Sequence, residues 1–193
     1  MPRIERESLM TLEAYAKARN DFRARVLAHK KPRTVHLGEH LTLIFEDELT
    51  IRYQVQEMLR IEKIFEEEGI REELDAYNPL IPDGTNLKAT MLIEYEDVEE
   101  RRRALGRLKG IEGKVYVQVG DLDKVFAIAD EDLERANEQK TSAVHFLRFE
   151  LVAPAIAALR DGARLAIGVE HPEYRASVTV PAETRQALMA DLA

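Results

Sequence analysis

Three times along this 193-residue chain, two runs of alternating apolar residues are joined by a connection too short to hold a helix. Parallel neighbours need a crossover of about a dozen residues or more, so such pairs read as antiparallel hairpins or as pairs of short strands. TVHLGEHLTLIFED (34–47) alternates through Leu41, Leu43 and Phe45 beyond a turn at Gly38. KVYVQVG and KVFAIAD flank the turn region GDLD, and ARLAIGVEH and YRASVTV flank His171-Pro172. LKATMLIEYE and TSAVHFLRFEL add two more strands, with Leu87, Ala89, Met91 and Ile93 sharing one side of the first. The helical patterns between them are irregularly spaced and make no regular βαβ series. The expectation is an α+β fold: a mostly antiparallel sheet with helices packed on one face and an N-terminal helical arm.

Ser8 is placed to cap a first helix running to about His29, with Leu12, Tyr15, Phe22 and Val26 on one side. Pro32 ends it, giving an arm of residues 1–31 and a single α+β domain of 32–193. A long helix is expected from about Glu48 to Glu68, stopped by Gly69, with a shorter one in IREELDAY (70–77). Asp97 caps the next, followed by Glu99 and Glu100 and then by Arg101, Arg102, Arg103 and Arg107, an order that suits the helix dipole. DEDLERANEQ (130–139), VAPAIAALRDG with Pro154 in its first turn, and PAETRQALMADLA complete the helices. The loop YNPLIPDGTN is rich in turn signals and carries an apolar pair, Leu80-Ile81, suited to plugging a pocket, to meeting another subunit, or to anchoring the segment as an ordered Ω-like loop.

Composition excludes several classes of function. The chain has no cysteine, so thiolate catalysis, disulfides and cysteine-ligated clusters are out. A formal charge of −8 argues against a nucleic-acid or anionic-membrane binder, which needs a basic face. No stretch approaches the ~20 apolar residues that span a bilayer, and the charged N-terminal segment has no signal-peptide run, so cytoplasmic residence is expected.

Motifs are few. HLGEH (36–40) matches the inverted zinc-protease pattern, but that chemistry needs a helix, and Gly38 with strand residues after it denies one. GRLKGIEG lacks the phosphate-loop spacing, and no nucleophile elbow surrounds any serine. His171 before Pro172 reads as a turn residue.

The polar residues of the long helix raise the sharper question. At about 100° per residue, Ile51, Val55, Met58, Leu59, Ile61 and Phe65 form one stripe. Glu62 falls inside it, Gln54 lies between Ile61 and Phe65, and Glu57 sits at its margin. A carboxylate carried onto a sheet would need a partner, since an unpaired buried charge costs several kcal/mol. TSAVHFLRFEL offers His145 on its greasier side and Arg148 on the other, and Glu94 lies near apolar neighbours on its own strand.

Two accounts fit. In one, Arg148 closes a structural salt bridge and His145 donates to a backbone carbonyl. In the other, Gln54, Glu57, Glu62, Glu94, His145 and Arg148 line a helix–sheet pocket for a small ligand or metal. Carboxylate with imidazole suits iron, manganese or zinc. The i, i+5 spacing of Glu57 and Glu62 does not match the Glu-x-x-His pattern of di-iron bundles.

QEMLRIEKIFEEEG, AYNPLIPDGTNLKATMLIEYEDVEERR and KTSAVHFLRFEL together resemble a bacterial family known as domain of unknown function 3501. The resemblance spans nearly the whole chain. It implies genes often lying beside rubrerythrin-like proteins and an iron–sulfur oxidoreductase, hence a part in peroxide defence or electron transfer, and no established cofactor or catalytic residue. The reading that follows is a cytosolic accessory protein binding a ligand or metal beside a redox partner. Its alternatives are an enzyme using Glu57 or Glu62 as general base with Arg148 orienting an anionic substrate, or a structural interaction protein, in which the arm and the Leu80-Ile81 loop form a homodimer or partner surface.

Overall fold

The computed structural model describes residues 3–132, 135, 137 and 139–193. Six helices and nine strands are assigned among them: α1 Leu12–Lys30, β1 Thr34–Leu37, β2 Leu41–Phe45, α2 Glu48–Ile61, α3 Glu67–Tyr77, β3 Asn86–Ile93, α4 Val98–Arg107, β4 Val115–Val119, β5 Val125–Phe126, β6 Ile128–Ala129, β7 Val144–Glu150, α5 Ala153–Arg160, β8 Leu165–His171, β9 Tyr174–Thr179 and α6 Ala182–Met189. The fold is α+β, and every pairing between these strands is antiparallel. No helix among the described residues is long and apolar enough to cross a membrane.

The strands form two sheets, in the orders β1-β2-β3-β7-β6 and β5-β4-β8-β9. One core fills the space between them: Leu43, Phe45, Leu87, Met91 and Phe149 from the first sheet meet Val115, Val117, Leu165 and Ile167 from the second. Strict alternation drives this arrangement, since every second side chain of β3 is buried there while Lys88, Thr90 and Leu92 face out. The KVFAIAD run does not form one long hairpin partner for β4. It splits at Ala127, so that β5 pairs with β4 and β6 with β7, and the segment turns a corner between the sheets. At the other side Tyr174 of β9 clips the β1–β2 hairpin: its hydroxyl donates to Leu37 O at 2.5 Å and accepts from His40 N at 3.1 Å. Gly38, at φ 69°, makes room for that ring, because a Cβ there would lie 2.6 Å from the hydroxyl.

The helices at the N-terminal end build a second core. Ile51, Val55 and Leu59 of α2 pack with Ile4, Leu9, Ile70, Leu74 and Ile81, and not on the sheet interior. This layer is tied to the outer face of the first sheet. Lys88 Nζ donates to Pro79 O and Ile81 O at 2.6 and 3.0 Å, and Thr90 Oγ1 donates to Glu46 at 2.7 Å.

Several elements differ from the sequence expectation. Thr11, not Ser8, caps α1 by accepting from Ala14 N, while Ser8 closes a preceding 3-10 turn. The long helix ends at Ile61, seven residues before the expected Glu68. Lys63 adopts φ 55° and Ile64 N donates back to Leu59 O at 2.9 Å, a Schellman closure made without glycine. Gly69 lies inside α3, where a Cβ would come within 2.8 Å of Ile64 Cγ2, so it permits close packing instead of stopping a helix. Asp130 takes φ 53° and turns its side chain onto Phe146 N, and none of the described residues of 130–139 is helical; Leu133, Glu134, Ala136 and Glu138 of that expected helix lie outside the described residues.

Glu57 joins α1 to α2. It accepts from Arg19 Nε and Tyr15 Oη, each at 2.7 Å, and from Arg60 at 3.2 Å. The bond from Arg19 is the main reason its carboxyl is held down at about 2, below the ordinary 4.5. A depressed carboxylate contributes stability that is complete above the unfolded value and is lost as pH falls through the folded one. Glu57→Gln should therefore cost about 2 kcal/mol at neutral pH. In urea titrations that deficit should shrink between about pH 4.5 and pH 2; a deficit independent of pH would contradict this account.

Candidate metal centre

His145 sits on β7 between Val144 and Phe146, and alternation turns it inward beside Leu147 and Phe149. It is 0% exposed. A polar ring in that position must be satisfied on both nitrogens. Nδ1 lies 2.5 Å from Asp130 Oδ2. Asp130 follows β6, and its Oδ1 accepts from Phe146 N at 3.1 Å, so the left-handed turn that ends the strand also aims the carboxylate at the ring. Asp is among the few non-glycine residues that tolerate that backbone region.

On the opposite edge of the ring, Nε2 is 2.8 Å from Thr141 Oγ1 and 3.0 Å from Ser142 O. Glu112 Oε2 stands 3.9 Å from Nε2 and accepts from Thr141 Oγ1 at 3.2 Å. Glu112 comes from the 3-10 turn Ile111–Lys114 after α4, and Thr141 is held by its own N–H on Leu105 O. Arg135 Nε lies 3.2 Å from Asp130 Oδ1, and its guanidinium covers the Phe146 ring at 4.7 Å.

One ligand atom from each of Glu112, Asp130 and His145 lies within 4.8 Å of the others. A carboxylate behind the imidazole orients the ring and raises the basicity of the nitrogen facing away from it. The 3.9 Å from Nε2 to Glu112 is less than twice a metal–ligand bond of about 2.1 Å, so one ion can touch both. Thr141 Oγ1 and Ser142 O supply further oxygens beside it. Nitrogen and oxygen donors without sulfur suit zinc, manganese or ferrous iron. The Asp130–His145–Thr141 order also resembles a hydroxyl-activating relay, but Thr141 is 1% exposed and its proton is committed to Glu112.

Of the residues singled out from sequence, only His145 belongs to this cluster. Glu62 caps α2 and is exposed, so the α2 stripe carries no carboxylate indoors. The buried polar residues of α2 are Thr50, beside its N-cap, and Gln56, which exchanges bonds with the Met10 backbone. Gln54 is half-buried, and Glu57 serves the α1–α2 contact. Glu94 is exposed and accepts from Thr42 Oγ1 at 2.6 Å. Arg148 faces outward, opposite Lys88, and forks onto Glu131 and Glu150. A small cavity of about 80 Å³ lies on the outer face of the first sheet beneath Pro79 and Leu80, lined also by Glu46, Lys88, Phe146 and Arg148; of the six expected pocket residues only Arg148 borders it. Asp130, Glu112 and Thr141 carried no periodic signal. They end a strand, sit between two glycines and precede a strand, and only the tertiary fold brings them together.

The protein is thus an antiparallel α+β fold enclosing a His–Asp–Glu cluster. The chain belongs to the family described as protein of unknown function (DUF3501), whose model matches residues 3–192. It is similar to a crystal structure of a novel protein of unknown function from Burkholderia pseudomallei, with 57% identity over 100% of both chains and a TM-score of 0.95. No curated protein matches it.

Proposed function

We propose that this chain is a metal-handling accessory protein, holding one divalent ion (iron, manganese or zinc) between His145 Nε2 and Glu112. The observation that supports it is the meeting of an imidazole nitrogen, the Glu112 carboxylate, a hydroxyl and a carbonyl at one edge of the buried ring, with the Asp130 carboxylate on the other edge. Asp130 would orient the ring, and Thr141 and Ser142 would complete the oxygen donors. Cytoplasmic work, beside a redox protein of the kind that the family resemblance implies, is the setting proposed for it. With no cysteine, the chain would hold or pass on an ion and leave thiol and cluster chemistry to its partner.

The test is protein purified without chelator, assayed for bound metal and melted against Fe²⁺, Mn²⁺ and Zn²⁺. An ion at a hundred times its Kd stabilises the folded state by about 2.7 kcal/mol. We expect a clear rise in Tm with at least one ion, and its loss in Glu112→Gln, whose half-buried side chain can change without opening the core. Absence of bound metal together with unmoved melts would refute the proposal.

A further inference from the structure

We infer that the corner joining α2 to α3 is a docking surface for a protein partner whose contact face is an apolar pocket rimmed by Lys and Arg. Phe65 is the most exposed large hydrophobic side chain among the described residues, at 71%, and Ile61, four residues earlier at the end of α2, is 56% exposed. Neither is left out by a loose chain. Lys63 holds the corner in the left-handed region, Ile64 N is bonded to Leu59 O, and the Ile64 side chain is seated against Gly69. A built turn thus anchors Ile64 and presents its neighbour Phe65 to solvent.

The charges around this pair select the partner. Residues 60–73 carry Glu62, Glu66, Glu67, Glu68, Glu72 and Glu73 against Arg60, Lys63 and Arg71. Arg60 is already engaged with Glu57, and Glu67 is engaged by Arg6. Burial, with Glu62 and Glu72 close by, pushes the Glu73 carboxyl above its ordinary range, as expected where acids crowd one another. An aromatic anchor in a surface of net negative charge fits a partner of the opposite sign, which steers encounter and rejects like-charged faces. A second copy docking through the same corner would bring the same carboxylates against these, and an anionic membrane would repel them.

The experiment pans a phage-displayed random peptide library against the immobilised full-length chain. Expected are peptides with Lys or Arg flanking an aromatic or aliphatic anchor. Their affinity should fall with added salt and by about tenfold or more in Phe65→Ser, and should be unchanged in Val152→Ser, an exposed apolar residue elsewhere. Peptides without basic enrichment, or binding Phe65→Ser equally, overturn the inference. So does a dimer in sedimentation that Phe65→Ser dissolves, because the occupant would then be a second copy. Circular dichroism confirms that both variants remain folded.

Discussion

Arg33→Met should cost about 3–5 kcal/mol of stability, with a larger loss at alkaline than at mildly acidic pH. Arg33 follows α1 and is 2% exposed. Its Nε donates to Phe45 O at 2.9 Å, and its two terminal nitrogens reach Ala187 O, Glu46 O and the Asp191 carboxylate. Asp47, the N-cap of α2, lies 3.4 Å from the same guanidinium and 2.5 Å from His29 Nε2. One side chain therefore pins the end of β2, the start of α2 and the last turn of the chain. Removing it leaves carboxylates buried without their cation, which costs far more than the net worth of the pair.

The pH dependence follows from Asp191. Burial outweighs Arg33 and pushes its carboxyl up to about 6, from an ordinary 3.8. A group whose folded value is raised favours folding most below its unfolded value, and that advantage is lost as pH rises through the folded one. Without Arg33, charging Asp191 becomes harder still, so urea titrations should show a smaller deficit near pH 5 than near pH 8. Arg33→Met with Asp191→Leu should recover much of the loss. A deficit below about 1 kcal/mol, or one equal at both pH values, would show that the network is an ordinary surface pair.

His145→Ala should be the second large effect, at about 3 kcal/mol, from a cavity in the sheet core and the loss of both ring contacts. Asp130→Asn should cost clearly less, because Asn tolerates φ 53° and its amide oxygen can still accept from Phe146 N. The two changes should not add, since they remove one shared contact. Additive losses in denaturant titrations would mean that Asp130 and His145 act separately, against the 2.5 Å contact.

Period-two patterning made most of the strands legible, because on a strand with one buried face the alternation has a single solution. Lys88 and Thr90 against Ala89 and Met91 settle β3 without tertiary knowledge. The α2–α3 boundary was not legible. Lys63 occupies a position that glycine ordinarily fills, and Gly69, which looked like the stop, is there for Ile64. That error extended the helical wheel past Ile61 and placed Glu62 indoors. His145 was found by its parity with Leu147 and Phe149. Its partners were not, because a 3-10 turn, a strand end and a loop threonine share no spacing in the sequence. They meet through the pairing of β6 with β7 and the packing of α4 beneath them.

The most direct test of the metal reading is anomalous scattering from crystals grown with Mn²⁺ or Fe²⁺, measured at the absorption edge of the added ion. The account predicts one strong peak about 2.0–2.2 Å from both His145 Nε2 and a Glu112 oxygen, with Asp130 still on Nδ1. Peaks confined to surface carboxylates, with the imidazole edge still resting on Thr141 and Ser142, would contradict it.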